Sequence, residues 1–126
     1  MPIKYLLVFV FLFHLPAHAD VTAEAKQLFT DYLDSLHEQN HTKLISLMDE
    51  NYLERTGGED HWKEVLQDPT PKAVVKKVEV KKVNDLYFAR FTTTGDPTDS
   101  VWFVLVKKDG KLLLYDIAQD FDPEAR

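Results

Sequence analysis

The chain has 126 residues and no cysteine, and its 21 acidic and 15 basic residues give a formal net charge of −6. The length fits one domain, and the absence of cysteine excludes disulfides. Because an acidic surface repels nucleic-acid phosphates and anionic lipid head groups, we expect neither a nucleic-acid partner nor a membrane partner once the protein has been processed.

Residues 1–19 have the features of a cleavable secretory signal peptide. Lys4 supplies a positive charge, an apolar run extends from Tyr5 to Leu15, and Ala17-His18-Ala19 matches the small-x-small pattern that signal peptidase accepts. An uncleaved membrane anchor is the alternative, but the run is shorter than the roughly 20 residues of a membrane-spanning helix. We therefore expect a periplasmic or secreted protein with a single domain over residues 20–126; an exported domain without disulfides suits a bacterial periplasm.

Two amphipathic helices are predicted at the start of this domain. Thr22 is the predicted N-cap of the first helix, which ends near Glu38. Thr42 is the predicted N-cap of a second helix, which continues through Tyr52 until Gly57-Gly58 stops it. In both segments apolar residues recur every three or four positions, which indicates helices with one buried face.

A short third helix and four strands follow. Asp60 is its predicted cap, the helix covers His61 to Gln67, and the prolines within 68–71 end it. The strands are predicted over Val74 to Val83, Leu86 to Thr94, Val101 to Lys108 and Lys111 to Gln119, with turns at Asn84-Asp85 and Asp109-Gly110 and a loop over 95–99. This order predicts an α+β fold in which the N-terminal helices pack on one face of an antiparallel four-stranded sheet.

The two short turns also predict which side chains face each other. The turn at Asn84-Asp85 places Glu79 opposite Arg90 as a cross-strand ion pair, which favours a surface role for Arg90 over anion binding. The turn at Asp109-Gly110 gives apolar residues on both faces of the last hairpin. The helices can cover only one face, so a partner subunit is the simplest cover for the other, and we expect a homodimer through the outer sheet face.

The chain resembles the nuclear-transport-factor-2-like superfamily, the cone-shaped fold shared with steroid-isomerase-like proteins. The segment Leu36–Met48 is similar to the short helix–helix corner of that family and its Leu-x-x-Leu spacing, and Asn51-Tyr52 is similar to the polar-plus-aromatic pair that follows. Gly57-Gly58 with Trp62 looks like its glycine-led short helix. The resemblance implies a curved sheet in a cone-like α+β barrel, with a ligand pocket between helices and sheet. The cystatin-like fold is the alternative, and three predicted helices argue against it.

The segment His37-Glu38-Gln39-Asn40-His41 matches the H-E-x-x-H signature of zinc proteases. That chemistry needs both histidines on one helical face and a third metal ligand. Here the second histidine lies in the predicted helix break beside Thr42, the flanking residues are polar, and His61 is the only other histidine of the mature domain. We therefore interpret the match as fortuitous and expect no metal and no cofactor.

Asp116 is the one weak candidate for a catalytic residue. It is predicted to lie in a strand on the same face as Phe103 and Leu114. A carboxylate among apolar groups has a raised pKa and could act as a proton shuttle, as in the steroid-isomerase-like members of the superfamily. The alternative is a wet strand end or sheet edge, where the carboxylate accepts a hydrogen bond from a backbone amide.

Large aromatic residues and a row of lysines are the remaining candidates. The predicted ligand-binding residues, which could equally be core, are Tyr32, Trp62, Trp102 and Tyr115. The first strand carries Lys72, Lys76, Lys77, Lys81 and Lys82 on it or just before it. These lysines fit either a solvated edge that resists aggregation or a surface for an acidic partner.

The sequence favours an exported non-catalytic binding module for a small apolar ligand or a protein partner. An isomerase- or dehydratase-like enzyme that uses Asp116 is one alternative. An inhibitor or immunity-type protein that caps its partner is another. No nucleophile–base pair and no glycine-rich phosphate loop is legible in the sequence.

Overall fold

The computed structural model describes residues 17–93 and 101–118, with side chains from 21 to 93 and from 101 to 117. Residues 1–16 of the predicted signal peptide, the predicted loop over 95–99 and the chain from 119 onward lie outside these ranges. The helices are α1 (Ala17–Glu38), α2 (His41–Ser46), α3 (Glu50–Arg55) and α4 (Gly58–Val65), and the strands are β1 (Val75–Val83), β2 (Leu86–Thr93), β3 (Trp102–Lys108) and β4 (Lys111–Ala118). This confirms the predicted α+β fold. None of the described helices has the length and apolarity to cross a membrane.

The four strands form an antiparallel sheet in the order β1-β2-β3-β4. Both short turns lie where they were predicted: Asn84 has a φ of 58°, and Asp109 and Gly110 have φ values of 52° and 77°, the left-handed backbone that tight two-residue hairpins need. Glu79 lies opposite Arg90, as predicted, at 3.2 Å between Oε2 and Nη2. The sheet is not closed into a barrel, so the barrel implied by the family resemblance is a wrong prediction.

Aromatic rings fill the space between α1 and the sheet. The ring of Phe29 on α1 lies 4.4 Å from that of Phe91 and 5.4 Å from that of Phe103, centroid to centroid, and Phe29 is fully buried. Such tilted contacts are favourable for aromatic pairs and bury large apolar surfaces. The hollow that the resemblance implied at this position is therefore occupied by core side chains.

Three helix boundaries differ from the predicted ones. The first helix begins at Ala17, so Thr22 lies inside it rather than capping it. Asn40, not Thr42, caps α2, because its Oδ1 accepts a hydrogen bond of 3.1 Å from the amide of Lys43. The last short helix starts at Gly58 after a left-handed Gly57, so Asp60 lies in its first turn instead of capping it.

The predicted second helix is two short helices joined by a link over Leu47–Asp49, in which Leu47 keeps a helical backbone and Asp49 is extended. This link pairs with the outer edge of β4: the amide of Leu114 donates to the carbonyl of Leu47, and the amide of Asp49 donates to the carbonyl of Leu114, both at 2.8 Å. Met48 thus forms a parallel bridge to Leu114. The link satisfies backbone groups of an edge strand that would otherwise need water or another chain.

A buried carboxylate fixes this link. Asp49 is 1% exposed, caps α3 through a 3.0 Å hydrogen bond from the amide of Asn51 to Oδ2, and forms an ion pair with Lys108 of β3 through Oδ1. Burial alone would raise the pKa of Asp49, but the hydrogen bonds from Lys108 and Asn51 outweigh it and lower that pKa. Its hydrogen bond to Asp49 raises the pKa of Lys108. The ionised pair therefore holds α3 against the sheet.

The last hairpin contains a bulge that the turn alone does not predict. Leu105 lies opposite Leu114 as expected, but the next residue of β3, Val104, lies opposite Asp116, so Tyr115 is an extra residue on β4. Arg55 of α3 donates from Nη2 to the carbonyl of Tyr115 at 2.6 Å. Beyond the bulge the predicted register is wrong by one residue, because this remote arginine stabilises the extra residue.

The outer face of the sheet carries a small apolar cluster of its own. Phe88, Trp102 and Val104 are 8%, 7% and 6% exposed within one chain. The homodimer was expected because this face seemed to need a second cover. These three side chains are already buried without a second chain, so they do not supply that reason, and the homodimer stays a prediction.

We predict that Asp49→Asn lowers the free energy of unfolding by about 2 kcal/mol at pH 7, since the amide keeps the helix cap but loses the ion pair. Because the folded state lowers the pKa of Asp49 below its ordinary value of 3.8, the stabilisation is present above that pH and is lost as the pH falls below it. Urea denaturation at pH 7 and pH 3 measures both effects.

The exposed Asp68→Asn serves as the control for charge and should shift the free energy of unfolding by less than about 0.5 kcal/mol at either pH. A difference between wild type and Asp49→Asn that is as large at pH 3 as at pH 7 would contradict this role of the ionised carboxylate.

Candidate functional site

The four predicted ligand-binding aromatics do not share a pocket. Tyr32 lies on α1, where its ring packs edge-on against Phe103 at 6.2 Å and burial raises the pKa of its hydroxyl. Trp62 lies on α4, whereas Trp102 and Tyr115 belong to the outer-face cluster on the other side of the sheet. The structure therefore separates these residues into three places.

Trp62 is a core residue of the helical layer. It is buried, its ring lies 6.3 Å from that of Tyr52, and its Nε1 donates to Thr56 Oγ1 at 2.8 Å. Burial raises the pKa of Tyr52 to about 12, so this hydroxyl is neutral at physiological pH. Trp62 thus has its polar group satisfied inside the protein and offers no free edge to a ligand.

Two arginines lie over the aromatic rings of the outer face. The guanidinium of Arg90 lies 4.7 Å from the ring centre of Trp102, and that of Arg55 lies 5.6 Å from the ring centre of Tyr115. Both arginines also form ion pairs, Arg90 with Glu79 and Arg55 with Asp116. Cation–π stacking therefore uses the ring faces that a flat ligand would need.

Asp116 is not surrounded by apolar groups. Its side chain is 47% exposed, its Oδ2 lies 3.2 Å from Arg55 Nη1, and its Oδ1 accepts a 2.8 Å hydrogen bond from the amide of Ile117. The expectation of apolar surroundings beside Phe103 was wrong because the bulge at Tyr115 shifts the register. The half-exposed ion pair matches the alternative reading of a wet sheet edge.

The H-E-x-x-H segment forms a corner between two helices, and its side chains contact the backbone of α4 and of the loop that follows α4. The first helix ends at Glu38 and Gln39 has a left-handed φ of 55°, so the two histidines do not lie on one helical face. Three side chains contact backbone carbonyls: His37 Nδ1 that of Thr70 at 2.9 Å, His41 Nε2 that of Glu59 at 3.1 Å, and Gln39 Nε2 that of Leu66. Within residues 17–93 and 101–118 no group of three or more potential metal ligands comes together.

We predict that Gln39→Ala lowers the free energy of unfolding by about 1 kcal/mol, since it removes the hydrogen bond to the Leu66 carbonyl. Glu38→Ala should change it by less than about 0.5 kcal/mol, because its ion pair with Lys43 is exposed. Urea denaturation with and without a chelator measures both. A zinc site would make the stability of the wild-type protein depend on the chelator, and that result would contradict the structural role of this corner.

An open groove lies between α1 and the β3–β4 turn. Its volume is about 310 Å³, and we call it the α1–hairpin groove. Its apolar floor is made by Leu28 of α1, Leu47 of the link and Leu112 of β4. The walls are completed by Glu24, Gln27, Asp31, Gly110 and Lys111. The groove exists because the link at Leu47–Asp49 brings the helical layer to the edge of β4.

Polar groups surround the apolar floor. On the α1 side, Asp31 accepts a 2.9 Å hydrogen bond from Gln27, and Glu24 lies 3.5 Å from Lys107 of β3. On the hairpin side, Lys111 Nζ lies 3.4 Å from the carbonyl of Ser46. Glu24 is one of the lining residues, and its Oε2 is buried with no hydrogen-bond partner among the described residues. A small ligand with an apolar body and a hydrogen-bond donor fits this lining.

No pattern in the sequence predicts this groove. Leu28 and Leu47 belong to helical apolar stripes that predict core, and Gly110-Lys111 reads only as a turn. The groove depends on the contact between three elements, which periodicity within each of them does not report. A turn next to a helical stripe of apolar residues is also found where the two simply pack together, so this pattern does not distinguish a groove from a filled core.

Comparison with known proteins found no relative for this chain. No protein-family model, no curated protein and no solved structure matches it. The resemblance to the nuclear-transport-factor-2-like superfamily therefore remains a prediction from the order of elements. The function must be argued from the residues of the chain itself.

Proposed function

We propose that the protein is an exported, non-catalytic binding module that holds a small, largely apolar ligand in the α1–hairpin groove. The observation that carries the proposal is the open groove of about 310 Å³ with a leucine floor. Export is proposed from the sequence of residues 1–19, which has the charged, apolar and small-residue parts of a signal peptide.

The size and lining of the groove favour a small ligand over a protein segment. A volume near 300 Å³ is at the lower end of the range of small-molecule pockets, and such pockets combine apolar walls with a few polar groups. The three floor leucines supply the apolar part. Gln27, Asp31 and Lys111 supply polar groups at the rim that would orient the ligand.

The surroundings of Asp116 do not support the enzyme alternative. It required Asp116 to be an isolated carboxylate among apolar groups, and this carboxylate is paired with Arg55 instead. No residue of the groove specifically favours the inhibitor or immunity-type alternative. We therefore carry the binding module forward as the main proposal.

We predict that short neutral alcohols such as 1-hexanol and 1-octanol bind saturably in the groove of the wild-type protein. In ¹H–¹⁵N NMR titrations the amide shifts should concentrate at Leu28, Leu47 and residues 110–112. Gln27→Trp places an indole into the groove from an exposed helical position and should weaken octanol binding at least fivefold.

Lys26→Trp is the matched control, because Lys26 is exposed on the same helix and does not line the groove. It should leave octanol affinity unchanged. Shifts that do not saturate, that spread over the whole surface, or that respond equally to both tryptophan variants would contradict a ligand site in the groove.

A further inference from the structure

The two edge strands of the sheet, β1 and β4, differ in their backbone pairing. The outer edge of β4 is paired at Leu114 by the link at Leu47–Asp49. Eight of the nine residues of β1 lie opposite residues of β2, with Lys76 left over at a register shift, and within the described ranges no backbone hydrogen bond to another element reaches Val75–Val80 on the other side. An edge of this kind presents unpaired N–H and C=O groups that can receive a further strand.

This edge is also the most basic stretch of an acidic protein. Between residues 72 and 83 there are five lysines and one glutamate, whereas the whole chain carries a net charge of −6. Glu79 is occupied by Arg90 at 3.2 Å and by Lys77 at 4.0 Å. Lys76, Lys77 and Lys82 are exposed, and the side chain of Lys77 is 70% exposed. The edge is therefore locally basic on a protein whose net charge is negative.

An exposed apolar residue lies at the start of the same edge. Val74, directly before β1, is 56% exposed and is the one large hydrophobic side chain that stands out into solvent in the described part of the chain. A strand that docks along β1 would cover Val74 as it extends past Val75. Unpaired backbone groups, positive charge and an exposed apolar side chain thus occur together along the edge of β1.

The charge selects the kind of strand that can dock. Two copies of β1 that paired with each other would bring lysines close to lysines, and like charges on adjacent strands are destabilising. The same lysines would form favourable cross-strand pairs with glutamate or aspartate. The edge is therefore guarded against self-association while it remains open to an acidic strand.

We propose that the free edge of β1 is a docking site for an extended acidic segment of a partner protein, which adds to the sheet as a fifth strand. Main-chain hydrogen bonds to β1 supply affinity, and acidic side chains opposite Lys76, Lys77 and Lys82 supply specificity. Lys77 and Lys82 are five positions apart and therefore lie on opposite faces of β1, so a segment with acidic residues at alternate positions meets the lysines of one face at a time. This site is separate from the α1–hairpin groove and does not depend on a ligand there.

The test uses protein produced by expressing the full chain and a fluorescent eight-residue peptide of alternating glutamate and valine. Fluorescence anisotropy at several salt concentrations measures its binding, and NMR amide exchange reports new protection along β1. We expect binding that weakens as salt increases and protection confined to Val75–Val83. The double variant Lys76→Glu/Lys77→Glu should weaken binding at least tenfold.

Three controls separate strand addition from charge alone. The variant Lys26→Glu/Lys63→Glu has the same net charge but changes exposed helical lysines away from β1, and it should bind like wild type. A peptide with lysine in place of glutamate, and an acidic peptide N-methylated at alternate amides, should not bind. Anionic phospholipid vesicles should not bind more tightly than the acidic peptide.

Several results would overturn the docking site. These are no binding of the acidic peptide, equal losses from the two double variants, equal affinity of the N-methylated peptide, or a preference for anionic vesicles. Octanol binding in the groove is unaffected by all of these outcomes, so failure here and failure of the proposed function are distinguishable.

Discussion

The pairing of Leu47–Asp49 with Leu114 connects the helical layer to the edge of the sheet. Two backbone hydrogen bonds of 2.8 Å and the buried carboxylate of Asp49 hold the link in place. The carboxylate caps α3 and pairs with Lys108, so one side chain joins a helix start to a strand end. Because a buried ionised group is stable only when it is paired and hydrogen-bonded, neither partner is dispensable.

This link determines the surroundings of the α1–hairpin groove and of the bulge at Tyr115. It places Leu47 on the floor of the α1–hairpin groove and positions α3 so that Arg55 reaches the bulge at Tyr115. Arg55 in turn neutralises Asp116. The link pairs with β4 at Leu114, whereas no backbone hydrogen bond from another described element reaches Val75–Val80, and this is the edge where we propose that a strand adds.

The sequence predicted what depends on local chemistry. Tight turns at Asn84-Asp85 and Asp109-Gly110 fix the nearby register because few residues tolerate their backbone, and the pairing of Glu79 with Arg90 followed. The break at Leu47–Asp49 could not be predicted, because the apolar spacing of this segment also suits a helix. What interrupts the helix is the contact of the segment with Leu114 and Lys108, which are far away in the chain. The bulge, and with it the position of Asp116, could not be predicted for the same reason. Arg55, which stabilises the bulge, lies about 60 residues away in the sequence.

Amide hydrogen exchange of the native protein tests the link at Leu47–Asp49 most directly. The amides of Asp49 and Leu114 are the two donors of this pairing, so both should exchange only with global unfolding, at the slow rate of the buried strands β2 and β3. Cross-strand contacts between Met48 and Leu114 should appear in NOE spectra. Fast exchange at both amides, together with continuous helical NOEs from residue 42 to residue 52, would contradict the arrangement.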